Sequence, residues 1–296
     1  MTKFAFWKMH ATGNDFVVTE SEHADAGWGS LAEQVCDRHL GVGADGLIVM
    51  LPSTVADRRM RIFNPDGSEA EMCGNGIRCV VTYALERGLV PAGENGSTGA
   101  EPSATTMTVE TIPGVIEARA SLGADGHVDR VRVSMGTPAL RPQDLGARIE
   151  QEPPVLDLPL EAAGESLRVT LVSMGNPHAV QFLDRPTAQY ELERVGPAVE
   201  HHPLFAHRTN FEVVRVLDRS HIEMRVWERG VGETLSCGSG ASAAVVAARL
   251  HGLVDDTVEV RVPGGTLEIE WDGAGAVYLE GPATRVFAAE WEGVAL

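Results

Sequence analysis

The chain has 296 residues, 44% of them hydrophobic and 22% charged, with a formal net charge of −18 at pH 7. That length corresponds to about two domains of about 150 residues and leaves room for a sizeable core, in the composition range of ordinary globular proteins. The acidic balance speaks against nucleic acid and anionic membrane surfaces as partners.

The opening stretch, MTKFAFWKMHATGNDF, has neither the apolar core nor the small-residue cleavage site of a secretory signal. No apolar run approaches the roughly 20 residues of a membrane span. Lys3 and Lys8 are the only lysines, and neither is placed as the Schiff-base lysine that pyridoxal phosphate requires. The cysteines, Cys36, Cys73, Cys79 and Cys237, fit neither a disulfide framework nor a CxxC metal knuckle. Free thiols in a cytoplasmic protein are the expectation.

Strand character follows in FWKMHATGNDFVVTE, GLIVML, MRIFN, MTVETI, VIEARASL and VDRVRVSM, broken by Gly, Pro, Asn and Asp. The spacing predicts helices over 76–87 and 240–251, each opened by a glycine and closed by Gly88 or Gly252. Both are apolar nearly all round, as buried helices are. Segment 91–106 reads as a Gly/Pro/Ser/Thr-rich surface loop and 141–165 as a second polar, proline-bearing stretch. The last strand, ATRVFAAEW, is expected to return to the first half.

The chain carries an internal duplication. Residues 61–90 align without a gap on 225–254, placing Arg61 on Arg225, Glu69 on Glu233, Cys73 on Cys237, and Gly74 and Gly76 on Gly238 and Gly240. Gly13-Asn14 and Gly175-Asn176 extend the match outward, as do VETIPGVIEA and VEVRVPGGTLEI. The expected fold is therefore α+β, in two pseudo-symmetric domains, each a mostly antiparallel sheet wrapped around a central helix. Residues 1–132 with 284–296 would form the N-terminal half carrying Cys73, and 133–283 the C-terminal half carrying Cys237.

A cysteine just before a glycine-opened helix meets unsatisfied N–H groups and about half a positive charge, which attract anions and lower a thiol's pKa from roughly 8.5. Gly74-Asn75-Gly76 and Gly238-Ser239-Gly240 let a carboxylate approach the backbone. Two such termini facing one cleft would hold one α-carboxylate, with a thiol on either face of the α-carbon. One sulfur acts as thiolate base and the other as thiol acid, and the N–H donors stabilise the developing enediolate. Cys36 and Cys79 lack this context and read as small buried hydrophobes. His10 and His178 have no metal-site spacing, so no metal and no cofactor is expected.

KMHATGNDF (8–16), GVGADGL (41–47), MRIFNPDGSEAEMCGNGIRC (60–79), GNPHAV (175–180), RTNFEVV (208–214) and ERGVGETLSCGSGASA (228–243) resemble the diaminopimelate epimerase family, in its order and across nearly the whole chain. The resemblance implies cofactor-independent interconversion of LL- and meso-2,6-diaminopimelate, on the lysine and peptidoglycan route, by a protein that is commonly a homodimer. It makes Cys73 and Cys237 the acid–base pair and gives Gly74-Asn75 and Gly238-Ser239 the reacting carboxylate. Asn14, Asn64, Asn176 and Asn210 would bond the substrate, with Glu228 taking an ammonium, Arg229 the distal carboxylate, and His178 supporting catalysis.

Two departures from the family pattern stand out. Ala11 replaces a more usual glycine, and Gly46 lies where some members carry a substrate-contacting glutamine, a contact that another group must then supply. Ser239 for a commoner threonine looks neutral. Two other readings compete with the leading one: a proline or hydroxyproline racemase, whose ring substrate has no use for Glu228 and Arg229, and a non-catalytic amino-acid-binding or thiol redox-responsive protein.

Overall fold

The computed structural model describes residues 3–90 and 104–293. The chain divides into two compact units, Met1–Val133 with Glu280–Leu296, and Ser134–Leu279.

In the first unit, β1 (Lys3–Ala11) and β2 (Asn14–Glu20) form a hairpin turning on Thr12 and Gly13, whose φ angles are 49° and 89°. Positive φ at both turn residues matches the twist of a tight hairpin and starts β2 at Asn14. Then come α1 (Trp28–Val35), β3 (Gly46–Leu51), β4 (Arg58–Phe63), β5 (Glu69–Ala70), α2 (Gly74–Glu86), β6 (Ala104–Thr111), β7 (Gly114–Leu122) and β8 (Val128–Ser134). Most pairings are antiparallel, but β2–β3 and β4–β6 are parallel. Parallel neighbours need a crossover, and α1 and α2 supply the two. The closing strand, Thr284–Glu292, pairs antiparallel with β1.

Every residue of β3 is buried, because a helix covers each face of the sheet and the strand reads as one apolar run. Leu47, Val49 and Leu51 pack with Trp28, Leu31 and Val35 of α1. Ile48 and Met50 alternate to the other face, against Ile77, Val80, Val81 and Ala84 of α2. Each such aliphatic side chain contributes about 1.5–3 kcal/mol on full burial, which fixes the register of α2 and with it the position of Cys73.

The second unit contains β9 (Leu158–Ala162), β10 (Glu165–Ser173), β11 (Pro177–Phe182), α3 (Leu192–Glu200), β12 (Asn210–Asp218), β13 (His221–Glu228), β14 (Gly232–Thr234), α4 (Gly238–Leu250), β15 (Thr257–Val262) and β16 (Gly265–Glu270). β17 (Tyr278–Gly281) and the closing strand, β18, follow. The pairing scheme of the first unit recurs: β10–β11, β12–β13, β13–β14 and β15–β16 antiparallel, β11–β12 and β13–β15 parallel. The match reaches single side chains. Arg61 forks onto Glu69 and Arg225 onto Glu233, with the same Nε–Oε1 distance of 2.7 Å.

Four expectations need revision. The helices begin at Gly74 and Gly238 rather than 76 and 240, because the cysteines themselves are the caps: the N–H of Ile77 bonds the Cys73 carbonyl and that of Ala241 the Cys237 carbonyl, both at 2.9 Å. At the other ends Gly88 and Gly252 take φ of 66° and 69°. Helices α1 and α3 were not anticipated. Segment 141–165 is not merely polar: it contains β9 and buries Leu145, Val155, Leu160 and Ala162 against α3. Of the expected loop 91–106, residues 91–103 lie outside the described residues, while 104–106 open β6. Among the described residues no helix is long and apolar enough to cross a membrane.

Candidate active site

In the first unit the Cys73 thiol caps its own helix, accepting from the Gly76 N–H at 3.4 Å and reaching Asn14 Oδ1 at 3.9 Å. Asn75 donates to the same Oδ1 at 3.2 Å. The other end of the Asn14 amide is held by Asp45, which accepts from Nδ2 at 2.8 Å, so the amide oxygen is turned to the cysteine. Asp45 is fixed in turn by Arg38, which also forks onto Asp15. Burial pushes the Asp15 carboxyl up, but Arg38 and Lys8 outweigh it and hold the group at about 2. Lys8 bonds Asp15 and the Gly43 carbonyl, while Lys3 pairs with Glu290 and Glu292 on the surface.

Asn75 is also tied from behind. Arg78, fully buried one turn along α2, donates to Asn75 Oδ1 at 2.5 Å and to Thr12 Oγ1 at 3.3 Å. Asn64, in the turn after β4, donates instead to Ser68 Oγ at 2.9 Å. Gly46 pairs with Phe16 in the sheet, and a Cβ there would meet the Phe63 carbonyl oxygen at 3.0 Å. The close packing of β3 on β4 leaves little space at that position for a glutamine.

In the second unit a chain of polar contacts ends at Cys237. Its sulfur lies 3.4 Å from Ser239 Oγ, which accepts from Asn176 Nδ2 at 3.2 Å. Asn176 Oδ1 faces His178 Nε2 at 3.0 Å, and His178 Nδ1 lies 2.6 Å from Glu212 Oε1. His178 and Glu212 are wholly inaccessible to solvent. Because Nε2 faces an acceptor it carries a proton, so His178 and Glu212 share one further proton at Nδ1. Burial raises the Glu212 carboxyl, against the opposing pull of His178.

Asn210, beside His178 in the β11–β12 register, donates to the Pro177 carbonyl at 3.1 Å and accepts from the Arg229 N–H at 2.7 Å. Glu228 accepts from Thr234 Oγ1 at 2.5 Å. The exposed Arg229 is steadied through the His207 carbonyl at 3.0 Å.

One electrostatic expectation is overturned. The helix terminus was expected to lower the thiol pKa, but the Cys237 thiol is raised well above its ordinary value. Burial is the main cause and the Glu228 carboxylate adds to it, outweighing the Ser239 contact and the Gly240 N–H. The partial charge of a helix end is small beside the desolvation of a whole anion. Cys36 and Cys79 are buried thiols pushed up to about 12 by desolvation.

The family model for diaminopimelate epimerase matches residues 6–140 and 170–286. The chain belongs to the diaminopimelate epimerase family. Its relatives include the diaminopimelate epimerases of Carboxydothermus hydrogenoformans, 46% identical over 97% of this chain and 98% of that one, and of Moorella thermoacetica, 48% identical over the same shares. Among solved structures, a probable proline racemase from Agrobacterium radiobacter K84 superposes with TM-score 0.70 at 18% identity, covering 97% of this chain and 92% of that one. A Bacillus anthracis phenazine biosynthesis protein of the PhzF family gives 0.69 at 19%, covering 99% and 100%. At those identities the likeness is one of fold: the two-domain α+β fold is shared well beyond the diaminopimelate epimerase family.

Sequence reasoning missed Asp45, Arg78 and Glu212. Asp45 and Glu212 lie inside GVGADGL and RTNFEVV, yet nothing in a linear motif tells a buried carboxylate from a solvated one. Arg78 stands in a helix whose apolar pattern predicted burial, and an arginine in such a helix was the available signal.

Proposed function

We propose that this member of the diaminopimelate epimerase family interconverts LL- and meso-2,6-diaminopimelate in lysine biosynthesis by proton transfer between two thiols, without a cofactor. The observation that carries the mechanism is that Cys73 and Cys237 cap α2 and α4 at corresponding places in the two repeats. An α-proton is removed at neutral pH only if the enediolate charge is stabilised as it forms, and the first-turn N–H groups after each cysteine are preorganised donors for it. The chemistry requires a thiolate on one face of the α-carbon and a thiol on the other. The thiolate takes the α-proton, the thiol returns one to the opposite face, and the two sulfurs have then exchanged states.

Asn14, Asn75, Asn176 and Ser239 would orient the carboxylate and ammonium at the reacting end. Glu228 and Arg229 would serve the charged groups of the substrate, with the guanidinium available as a fork for the distal carboxylate. A ring substrate with one carboxylate has no use for the latter, so the proline-type reading finds no support in this pair. His178, with Asn210 beside it, would position the polar chain leading to Cys237. We take the protein to act in the cytoplasm as a homodimer, which sedimentation of the purified chain would test.

The deciding experiment is proton NMR of meso-diaminopimelate in D₂O with reduced protein and nothing else added. Deuterium entering the α-position as the LL isomer appears is the expected result. Folded, reduced protein that leaves the α-proton in place would overturn the proposal.

A further inference from the structure

Helix α3 ends beside a turn that both repeats possess but hold differently. Arg229, Gly230 and Val231 join β13 to β14, with the Val231 N–H bonded to the Glu228 carbonyl at 3.1 Å and Gly230 at a φ of 78°. Two side chains anchor this turn from outside it. Asn210 accepts from the Arg229 N–H, and Glu200, the last residue of α3, accepts from the Gly230 N–H at 2.9 Å through Oε1. Its Oε2 accepts from the Trp227 indole N–H at 2.7 Å. The helix is bare where that indole lies, since a Cβ on Gly196 would stand 2.6 Å from two of the ring carbons.

Glu200 is only 4% exposed. Burial pushes its carboxyl up, but Trp227, the Gly230 N–H, His201 and Arg208 together outweigh burial and hold it below its ordinary value. It is therefore an anion at neutral pH, and its bonds to the indole and the backbone are charge-assisted. Burying an anion is costly unless its bonds are made, and here they are made to the turn that carries Arg229.

The first repeat shows that such a turn closes without these anchors. There the Gly67 N–H bonds the Asn64 carbonyl at 3.0 Å, yet Glu200 falls on Cys36 and Asn210 on Gly46. A glycine has no side chain to offer, and the buried Cys36 thiol, pushed up to about 12, is neutral. In the turn itself Glu228 and Arg229 fall on Asn64 and Pro65. The anchors thus accompany the charged pair and not the turn. Of that pair, Glu228 has fixings of its own, being paired with Gly232 in the sheet and bonded to Thr234. Arg229 stands beyond the strand, and the peptide groups on either side of its Cα are the two that Asn210 and Glu200 hold. Fixing both sets the direction in which its side chain leaves the backbone. A fork presented in a set direction loses less freedom on binding a carboxylate.

On the reading of diaminopimelate as substrate, we infer that Glu200 is a positioning residue that, through the Gly230 N–H and the Trp227 indole, fixes Arg229 to receive the distal carboxylate.

The test is steady-state epimerisation of diaminopimelate by the full chain in a double-mutant cycle of Glu200→Gln with Arg229→Met. Glutamine keeps the shape but has one oxygen for two N–H donors. It should raise KM about tenfold and leave kcat within about twofold, as a contact equally strong in ground and transition states does. In the Arg229→Met background the same change should move kcat/KM by about twofold or less, because the group that Glu200 positions is gone. Should Glu200→Gln not fold, Glu200→Asp, which draws the carboxylate back from both donors, should raise KM about threefold and likewise lose its effect beside Arg229→Met. A merely structural role would depress kcat or act equally in both backgrounds. Either result overturns the inference, as does an unchanged KM, and each leaves the function standing if the wild-type protein epimerises diaminopimelate. A wild-type protein that leaves diaminopimelate unchanged overturns the function and takes this inference with it.

Discussion

His178 Nδ1 and Glu212 Oε1 stand 2.6 Å apart in a place solvent does not reach, and the second carboxylate oxygen of Glu212 has no partner among the described residues. A buried carboxyl paired with an imidazole sets the orientation and proton content of that ring. Glu212→Gln keeps the shape and one hydrogen bond but removes the ionisable group. We expect kcat to fall by about 10²-fold, within the range of a lost acid–base contribution, with KM little changed. Stability should move the other way. A carboxyl raised by burial binds its proton more tightly in the folded state, so folding weakens as pH rises above its unfolded value. Thermal denaturation at pH 8 should therefore show the glutamine variant at least as stable as the parent. Full activity in that variant would reduce the pair to a structural role.

Gly240 is constrained from two sides. A methyl group there would press on Glu212 Oε1 at 2.8 Å and Cys237 Sγ at 3.4 Å, and neither atom is at the free end of a mobile chain. Gly240→Ala should cost about 1–3 kcal/mol in stability, as overpacking does, and lower turnover more than tenfold by displacing the thiol. Gly76→Ala meets the flexible Cδ1 of Ile48 at 3.1 Å and should be milder on both counts. Chemical denaturation and steady-state rates of the two variants side by side give the comparison.

The site was legible where its chemistry depends on backbone geometry. CGNG and CGSG each place a thiol before a run of small residues, and both cysteines cap helices. The fold class was legible because the repeat is in the sequence and β3 is one apolar run. What stayed hidden depends on who faces whom. Helices α1 and α3 correspond in the repeat at the same offset as α2 and α4, so that Trp28, Leu31 and Val35 fall on Leu192, Val195 and Val199, but with 8 and 9 residues each is too short for its periodicity to stand out. They are helices because each bridges a parallel pair of strands. Burial is likewise a tertiary property, so neither the raised thiol of Cys237 nor the role of Glu212 could be taken from spacing.

The pH dependence of kcat/KM should be asymmetric. Activity rises as one thiol ionises and falls only when the second also loses its proton. Because burial and the nearby carboxylates lift Cys237 well above 9.0, the falling limb should lie above pH 9 rather than within the ordinary thiol range. A rate already declining by pH 8 would contradict the environment described for Cys237.

Asp15 makes the fold sensitive to acid. Its carboxyl is held at about 2, against an ordinary 3.8, once the cations Arg38 and Lys8 have overcome its desolvation. A depressed carboxyl contributes stability that is complete above the unfolded value and disappears as pH falls through the folded one. Asp15→Asn should therefore be less stable than the parent at pH 6, with the difference shrinking as pH falls from about 4 to about 2. Urea unfolding at these pH values would check it, and a difference that stays constant would show the ion pairs to be without net effect.

Arg229 separates recognition of the far end of the substrate from the chemistry at the near end. Its guanidinium is exposed, bonded at 3.0 Å to the His207 carbonyl, and its backbone N–H is anchored by Asn210. Replacing it with methionine leaves that backbone contact in place and should spare the fold. A bidentate bond to a carboxylate is worth more than a neutral one, so loss of about 2–3 kcal/mol in transition-state binding, a 30- to 150-fold drop in kcat/KM, is the expected size. If the contact is equally strong in ground and transition states, KM should absorb the loss and kcat remain near the parent value. Arg229→Lys should recover only part, because an ammonium cannot reproduce the fork. A methionine variant with unchanged kcat/KM for diaminopimelate would remove Arg229 from the binding site and reopen the case for a substrate with one carboxylate.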